Sequence, residues 1–188
     1  MSGIERLDME PITVAIADED EGRLAKFESS LQDAKDIKVL TNIPTTALDK
    51  TEDRRAKPRT NITHIENAVA RVRRLKPRVL LANLKQCTDS DCSMLLSLRH
   101  ECPETLVVLL ADESKKEDES TQEEDLVMRA LAIGARGYLS PEADAHYVSK
   151  AVHVIDRGEA WVSRKMFGKI MDQWCNVNSM GARLDSSC

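Results

Sequence analysis

The sequence predicts an α/β protein: a doubly wound five-stranded parallel sheet flanked by helices, plus an extra C-terminal helix. Two observations predict this fold. Short apolar runs of strand length alternate along the chain with segments in which apolar residues recur at helical spacing. In addition, residues 79–82 are apolar at four consecutive positions, which is typical of a strand buried on both faces of a parallel sheet. Five such βα pairs imply helices on both sides of one sheet.

The strand and helix segments follow each other in a regular order. Strand-like runs occupy residues 12–17, 37–40, 79–84, 106–111 and 137–139. Apolar residues three or four positions apart predict helices near residues 24–34, 62–75, 94–98, 126–133 and 143–157. Gly134 and Gly158 follow the last two helices, where glycine commonly terminates a helix, and Pro103 stops the third.

The chain is predicted to divide into a flexible arm, a folded domain, a helical extension and a linker or tail, at residues 1–11, 12–158, 159–175 and 176–188. Two insertions are predicted inside the domain. The first, near residues 44–61, carries prolines and many charges, and the second, near residues 112–122, is acidic and rich in Ser. Neither insertion has enough apolar residues to contribute to a core.

Composition limits the classes of function. The 188 residues carry a formal net charge of −5, which argues against a nucleic-acid surface over the whole chain. No apolar run approaches the length of a membrane span, and the first residues lack the layout of a signal peptide. We therefore expect a cytoplasmic protein with no membrane partner. The five scattered cysteines are expected to be reduced thiols and not metal ligands.

The sequence predicts no enzyme. It contains no recognisable nucleophile–base pair, phosphate-binding glycine loop or metal-ligand spacing. Ligands of open α/β sheets bind at the carboxyl ends of the strands, so the residue that ends the central strand is where chemistry is expected. That residue is Asn83, a neutral amide.

Several segments together resemble a known family. Four segments at or next to predicted strands are similar to the receiver domain of bacterial two-component response regulators, in particular the NarL/LuxR-type subgroup. They are residues 17–19, 76–84, 103–110 and 134–139. Residues 157–163 resemble the segment that leaves the receiver in that subgroup. The resemblance implies the flavodoxin/CheY-like form of the doubly wound sheet.

The resemblance also implies a phosphorylation pocket, and this chain departs from it. In the family, two acidic residues hold Mg²⁺, an Asp accepts the phosphoryl group, and a hydroxyl, a Lys and an aromatic residue respond. The acidic pair is matched here, but the acceptor, hydroxyl and Lys positions are not. (Ser140 takes the Lys position if one residue is deleted.) In family order, the matching positions are Asp18, Glu19, Asn83, Ala111, Pro141 and Tyr138.

These replacements remove the chemistry that phosphorylation needs. An amide is a poor nucleophile and contributes no negative charge to a metal site. Ala111 has no hydroxyl to donate, and Pro141 brings no cation. Asp18 and Glu19 are weak candidates for holding Mg²⁺, and no cofactor is expected.

The predicted function is that of an atypical receiver domain, or pseudo-receiver, in signal transduction and transcription regulation, acting through protein–protein interaction independently of aspartyl phosphorylation. The partner is a protein or a second copy, bound through the receiver surface or the C-terminal helix. DNA is contacted only through an output domain absent from this chain. The resemblance places the interaction face at Val127, Ala130, Leu131, Tyr138, Val148 and Val152.

Two alternatives remain open. Asp89 and Asp91, in the loop after Asn83, are candidate surrogate phosphoacceptors in a phosphorelay, although such residues are also ordinary in loops. The other alternative is a ligand sensor, in which the altered pocket between Asp18, Asn83 and Ala111 receives a small molecule.

Overall fold

The computed structural model describes residues 10–18, 20–40, 60–88, 92–111, 117–140 and 143–181. The strands in these ranges are β1 (Ile12–Ala17), β2 (Ile37–Val39), β3 (Val79–Asn83), β4 (Leu106–Leu110) and β5 (Gly137–Leu139). The helices are α1 (Glu21–Gln32), α2 (Thr60–Leu75), α3 (Leu84–Thr88), α4 (Ser93–Glu101), α5 (Glu117–Ile133), α6 (Ala145–Asp156) and α7 (Arg164–Gly181).

The strands form one sheet in the order β2-β1-β3-β4-β5, and every pairing is parallel. This confirms the predicted doubly wound sheet. The chain reverses its direction across the sheet between β1 and β3, which makes the carboxyl ends of these two strands the topological switch point. The register aligns Ala17 with Ala82 there, and Asn83 with Leu110 of β4.

The core lies in two layers, one on each face of the sheet. Side chains of α2, α4 and α5 cover the face that carries Leu80 and Leu109. Those of α1 and α6 cover the face that carries Leu81 and Leu110. Because both faces are covered, β3 is buried at all five positions, and this explains the uninterrupted apolar run in the sequence.

Three predicted boundaries differ from the structure. Helix α5 begins at Glu117, inside the predicted second insertion, and α7 continues to Gly181, into the predicted tail. The predicted loop after β3 begins with the short helix α3. The early start of α5 was not predicted because the first turns of this helix are acidic. Acidic residues stabilise a helix N-terminus, but they leave no apolar periodicity from which a helix could be predicted. The arm before residue 10 and residues 41–59 lie outside the described residues.

Every helix in the described part of the chain is too short or too polar to cross a bilayer.

Candidate functional site

Three buried residues meet at the carboxyl edge of the sheet. Asp18 follows β1, Asn83 ends β3 and Ala111 follows β4. Because β1 pairs with β3 and β3 with β4, the three positions lie side by side. Asp18 is 1% exposed, Asn83 4% and Ala111 1%, so all three side chains are buried. The predicted pocket residues Glu19 and Pro141 and the surrogate acceptors Asp89 and Asp91 lie outside the described residues.

The Asp18 carboxylate is bound by the guanidinium group of Arg23. Arg23 Nε donates to Asp18 Oδ2 and Arg23 Nη2 donates to Asp18 Oδ1, both at 2.8 Å. The backbone N–H of Asp20 also donates to Asp18 Oδ1, at 3.0 Å. Both carboxylate oxygens therefore accept charge-assisted hydrogen bonds from one arginine, which is the strong two-pronged geometry of such pairs.

Helix α1 places Arg23 in this position. Asp20 is the N-cap of α1, and its Oδ1 accepts the backbone N–H of Arg23 at 2.9 Å. A capping Asp satisfies one of the free N–H groups at a helix start. Arg23 thus lies in the first helical turn, next to the end of β1. This role of Arg23 was not predicted from the sequence, although an arginine that follows an acidic cluster after a strand is a visible signal.

Asn83 is held by the backbone that follows it. Its Oδ1 accepts the N–H of Lys85 at 2.9 Å, a local turn in which an Asx side chain replaces a backbone carbonyl. This hydrogen bond satisfies a buried polar group and leads the chain directly into α3. At the end of the central strand the pocket therefore contains a neutral side chain.

Ala111 and Tyr138 complete the described part of the predicted pocket. The N–H of Ala111 donates to the carbonyl of Leu139 at 2.9 Å, and its methyl side chain offers no hydroxyl. The Tyr138 hydroxyl donates to Glu123 Oε1 of α5 at 2.6 Å. Burial, and then this hydrogen bond to a carboxylate, raises the pKa of Tyr138, so the ring stays neutral and tied to α5.

The structure shows how far the residues of the predicted interaction face are buried. Four of its six residues are inside the domain, because they form the apolar stripes with which α5 and α6 pack on the sheet: Val127, Ala130, Val148 and Val152. These side chains face the domain's own core. Leu131 and Tyr138 are only partly buried. An interaction face in this region stays a prediction that depends on exposed neighbours of the buried residues.

The C-terminal segment joins the sheet beside Tyr138. Trp161 forms a parallel bridge with Gly137 of β5. The N–H of Trp161 donates to the carbonyl of Arg136 at 2.9 Å, and the N–H of Tyr138 donates to the carbonyl of Trp161 at 3.0 Å. Residues around Trp161 therefore cover the outer edge of β5, and α7 begins directly after this contact.

Helix α7 docks on α5 through apolar and charged contacts. Met166 is buried in the core layer that α5 covers, and Ile170 packs against the same layer. The Glu124 carboxylate of α5 pairs with Lys165 at 2.6 Å and also with Lys169. Both lysines are on α7, so one carboxylate holds two successive turns of this helix.

We refer to the pairing of Glu124 with Lys165 and Lys169 as the clamp, and we expect it to weaken at acid pH. Hydrogen bonds from Lys165 and then Lys169 lower the pKa of Glu124. A carboxyl whose pKa is lower in the folded state contributes stability above its unfolded pKa of about 4.3, and loses it as pH falls through the folded-state pKa. We expect the amide protons of the first turns of α7 to lose protection, relative to the intrinsic exchange rate at each pH, below about pH 4, as measured by hydrogen exchange with NMR. Glu124→Gln should exchange faster at neutral pH and show a smaller change on acidification. Equal profiles for the two proteins would contradict the clamp.

Mg²⁺, which the family resemblance implies, does not fit the described residues. Both oxygens of Asp18 already accept hydrogen bonds from Arg23, and the neighbouring Asn83 is uncharged. A divalent ion is held by anionic oxygen ligands. Of the described residues Asp18, Asn83 and Ala111, one is anionic, and its carboxylate is already paired with Arg23. Within the described ranges, no three His, Cys, Asp or Glu residues are grouped as a metal site.

A cavity of about 520 Å³ lies at the opposite edge of the sheet, near the start of β1 and the end of α2. Its charged residues are largely engaged with each other: Arg73 pairs with Glu101 at 3.2 Å, and Arg78 pairs with Asp156 at 2.9 Å. These pairs connect neighbouring elements of the fold. We therefore place the candidate site at the carboxyl edge.

Comparisons with known proteins identify the fold. No protein-family model matches this chain, and no curated protein matches it. Among solved structures, the signal receiver domain of the response regulator NarL from Mycobacterium tuberculosis matches with a TM-score of 0.58 at 17% identity, over 80% of this chain and 100% of that chain. The receiver fold is therefore present.

Two further structures with the receiver fold are similar to this chain. The receiver domain of the stress response regulator RcsB from Escherichia coli matches with a TM-score of 0.57 at 12% identity, over 82% of this chain and all of that one. A LuxR family DNA-binding response regulator from Silicibacter pomeroyi matches with a TM-score of 0.52 at 20% identity, over 81% and 98% of the two chains. At these identities the likeness establishes the fold, so function has to be argued from the site.

Proposed function

We propose that this chain is a pseudo-receiver of a two-component-type response regulator, which acts through protein–protein contact independently of aspartyl phosphorylation. The observation that supports this most directly is Asn83. It ends the central strand of a receiver fold, at the position that the resemblance assigns to the phosphoacceptor, and its amide is buried and hydrogen-bonded to Lys85.

The chemistry of phosphoryl transfer supports the proposal. The acceptor must attack phosphorus with an anionic oxygen, and a neutral amide is a weak nucleophile. The transferred group carries negative charge that cations and hydrogen-bond donors must balance. Ala111 offers no side-chain donor, and the Arg23 guanidinium already donates to Asp18. Asn83 thus lacks the anionic nucleophile, Ala111 lacks a side-chain donor, and the cation present, Arg23, is already paired.

The contact surface that we propose includes α7. Met166 of this helix faces the domain, whereas Phe167 and Met171, one turn apart, are 56% and 44% exposed. Exposed apolar residues on one helical stripe are suited to a protein partner or a second copy of the chain. Contact with DNA is proposed only through an output domain, because the chain is acidic overall.

Intact-mass spectrometry after incubation with acetyl phosphate and Mg²⁺ tests the absence of phosphorylation. We expect no stoichiometric gain of a phosphoryl group in the native chain, while a conventional receiver domain treated in parallel gains one. Asn83→Asp is the matched variant. It restores the carboxylate, but we expect it to remain largely unmodified because Ala111 and the Arg23-bound Asp18 are unchanged.

A different outcome would replace the proposal. If the native chain gains one phosphoryl group, and the gain disappears when Asp89 and Asp91 are both changed to Asn, the protein is a phosphorelay receiver with a surrogate acceptor. A gain that persists in this double variant would place the acceptor elsewhere and also contradict the pseudo-receiver.

A further inference from the structure

We infer that Arg23 is the resident cation of the carboxyl-edge pocket, and that its guanidinium group excludes divalent metal ions from Asp18. This inference concerns the pocket alone and stands independently of which partner the protein binds. It rests on the bonding of Asp18, the charge of the surrounding residues and the position of Arg23 in α1.

The bonding of Asp18 leaves little for a metal ion. Three donors converge on its two oxygens: Arg23 Nε at 2.8 Å, Arg23 Nη2 at 2.8 Å and the N–H of Asp20 at 3.0 Å. The Asp18 side chain is fully buried, and that of Arg23 is only 13% exposed. A metal ion would have to displace the guanidinium from a carboxylate that water barely reaches.

The charges of the described residues lead to the same conclusion. The Asp18 carboxylate and the Arg23 guanidinium compensate each other, and Asn83 and Ala111 are neutral. A guanidinium group remains protonated at every pH that a folded protein experiences. The guanidinium of Arg23 therefore stays charged at physiological pH, and a divalent ion added beside it would meet a positive charge at short range.

The position of Arg23 is informative because it opposes a general preference. The first turn of a helix carries the positive end of the helix dipole, which favours acidic side chains and disfavours basic ones. Arg23 occupies this turn of α1, as the third residue after the Asp20 cap. The buried Asp18 carboxylate compensates for the unfavourable location, so the arginine and the carboxylate are suited to each other as a fixed pair.

Paramagnetic broadening of backbone amide signals by Mn²⁺ tests this inference directly. In the native chain we expect no selective, saturable broadening at Asp18, Asp20 or Lys85. In Arg23→Gln, which frees the carboxylate, we expect these signals to broaden at sub-stoichiometric Mn²⁺ and to recover when excess Mg²⁺ is added. Adding the change Asp18→Asn to Arg23→Gln should abolish the broadening.

Two further variants control for charge and for folding. Arg157→Gln removes a surface arginine that pairs with Glu159, and it should behave as the native chain does. Arg23→Lys keeps a cation in the pocket, so it should exclude Mn²⁺ even if Arg23→Gln is too unstable to study. The inference would be overturned by broadening at Asp18 in the native chain or in Arg23→Lys, or by broadening in Arg157→Gln as strong as that in Arg23→Gln. It would also be overturned if folded Arg23→Gln showed no broadening. A metal-binding native chain that still fails to accept phosphate would refute this inference and leave the pseudo-receiver proposal standing.

Discussion

Replacing Arg23 by Gln is expected to lower the free energy of unfolding by about 3–5 kcal/mol, the usual cost of removing one partner from a buried ion pair. The reason is the partner that remains. Asp18 is buried to 1% exposure, and without Arg23 its carboxylate keeps only the N–H of Asp20 among the hydrogen bonds described above. Urea unfolding monitored by circular dichroism measures this loss.

A double-mutant cycle separates the ion pair from other effects of the substitution. Asp18→Asn combined with Arg23→Gln replaces the charged pair by two amides, and we expect this protein to be more stable than Arg23→Gln alone. The difference between the cycle's arms reports the coupling of the two side chains. Additive effects would show that Asp18 and Arg23 do not interact, and would contradict the structure at the candidate site.

Replacing Gly137 by Val is expected to lower the free energy of unfolding by about 1–3 kcal/mol, the range for adding bulk to a packed position. A Cβ atom at Gly137 would lie 3.0 Å from Ile155 Cδ1, from Trp161 Cβ and from the Trp161 carbonyl oxygen. Since the backbone carbonyl belongs to the bridge with β5, we expect Trp161 to move away and its two backbone hydrogen bonds to be lost.

Hydrogen exchange at the amides of Tyr138 and Trp161 measures this local effect, beside urea unfolding for the global one. Both amides should lose protection in Gly137→Val. Gly168→Ala is the matched control, because a Cβ there meets no heavy atom within 4 Å. In a helix interior that change is expected to be neutral or to stabilise by up to about 1 kcal/mol. Unchanged protection at Trp161 in Gly137→Val would show that the C-terminal segment does not depend on this close approach.

Most of the fold could be predicted from the sequence because its signals are local. Residues 79–82 are apolar without interruption because β3 is covered on both faces, and this pattern is visible before any packing is known. The start of α5 at Glu117 could not be read in the same way. An acidic first turn is stabilised by the helix dipole and leaves no apolar period to detect.

The candidate site, too, could be predicted from the sequence only in part. The sequence itself shows that Asn83 is an amide and that Ala111 lacks a hydroxyl, and the resemblance to receivers predicts that both lie in the pocket. For the predicted interaction face, the sequence could not show which side of each helix faces the core. The apolar stripe with Val127 and Val152 is equally compatible with a partner and with the domain's own sheet, and the tertiary structure assigns it to the sheet.

The sequence by itself determined the alternation of the five strands with most of the helices and placed the neutral residue Asn83 at the end of the central strand, because both follow from residue type and local spacing. Only the tertiary structure decided that Arg23 binds Asp18 and that Trp161 covers the edge at Gly137. The physical reason is that hydrogen bonds and contacts of this kind act over a few ångströms. They exist only after the chain has brought a helix start to a strand end, or a late segment back to the sheet.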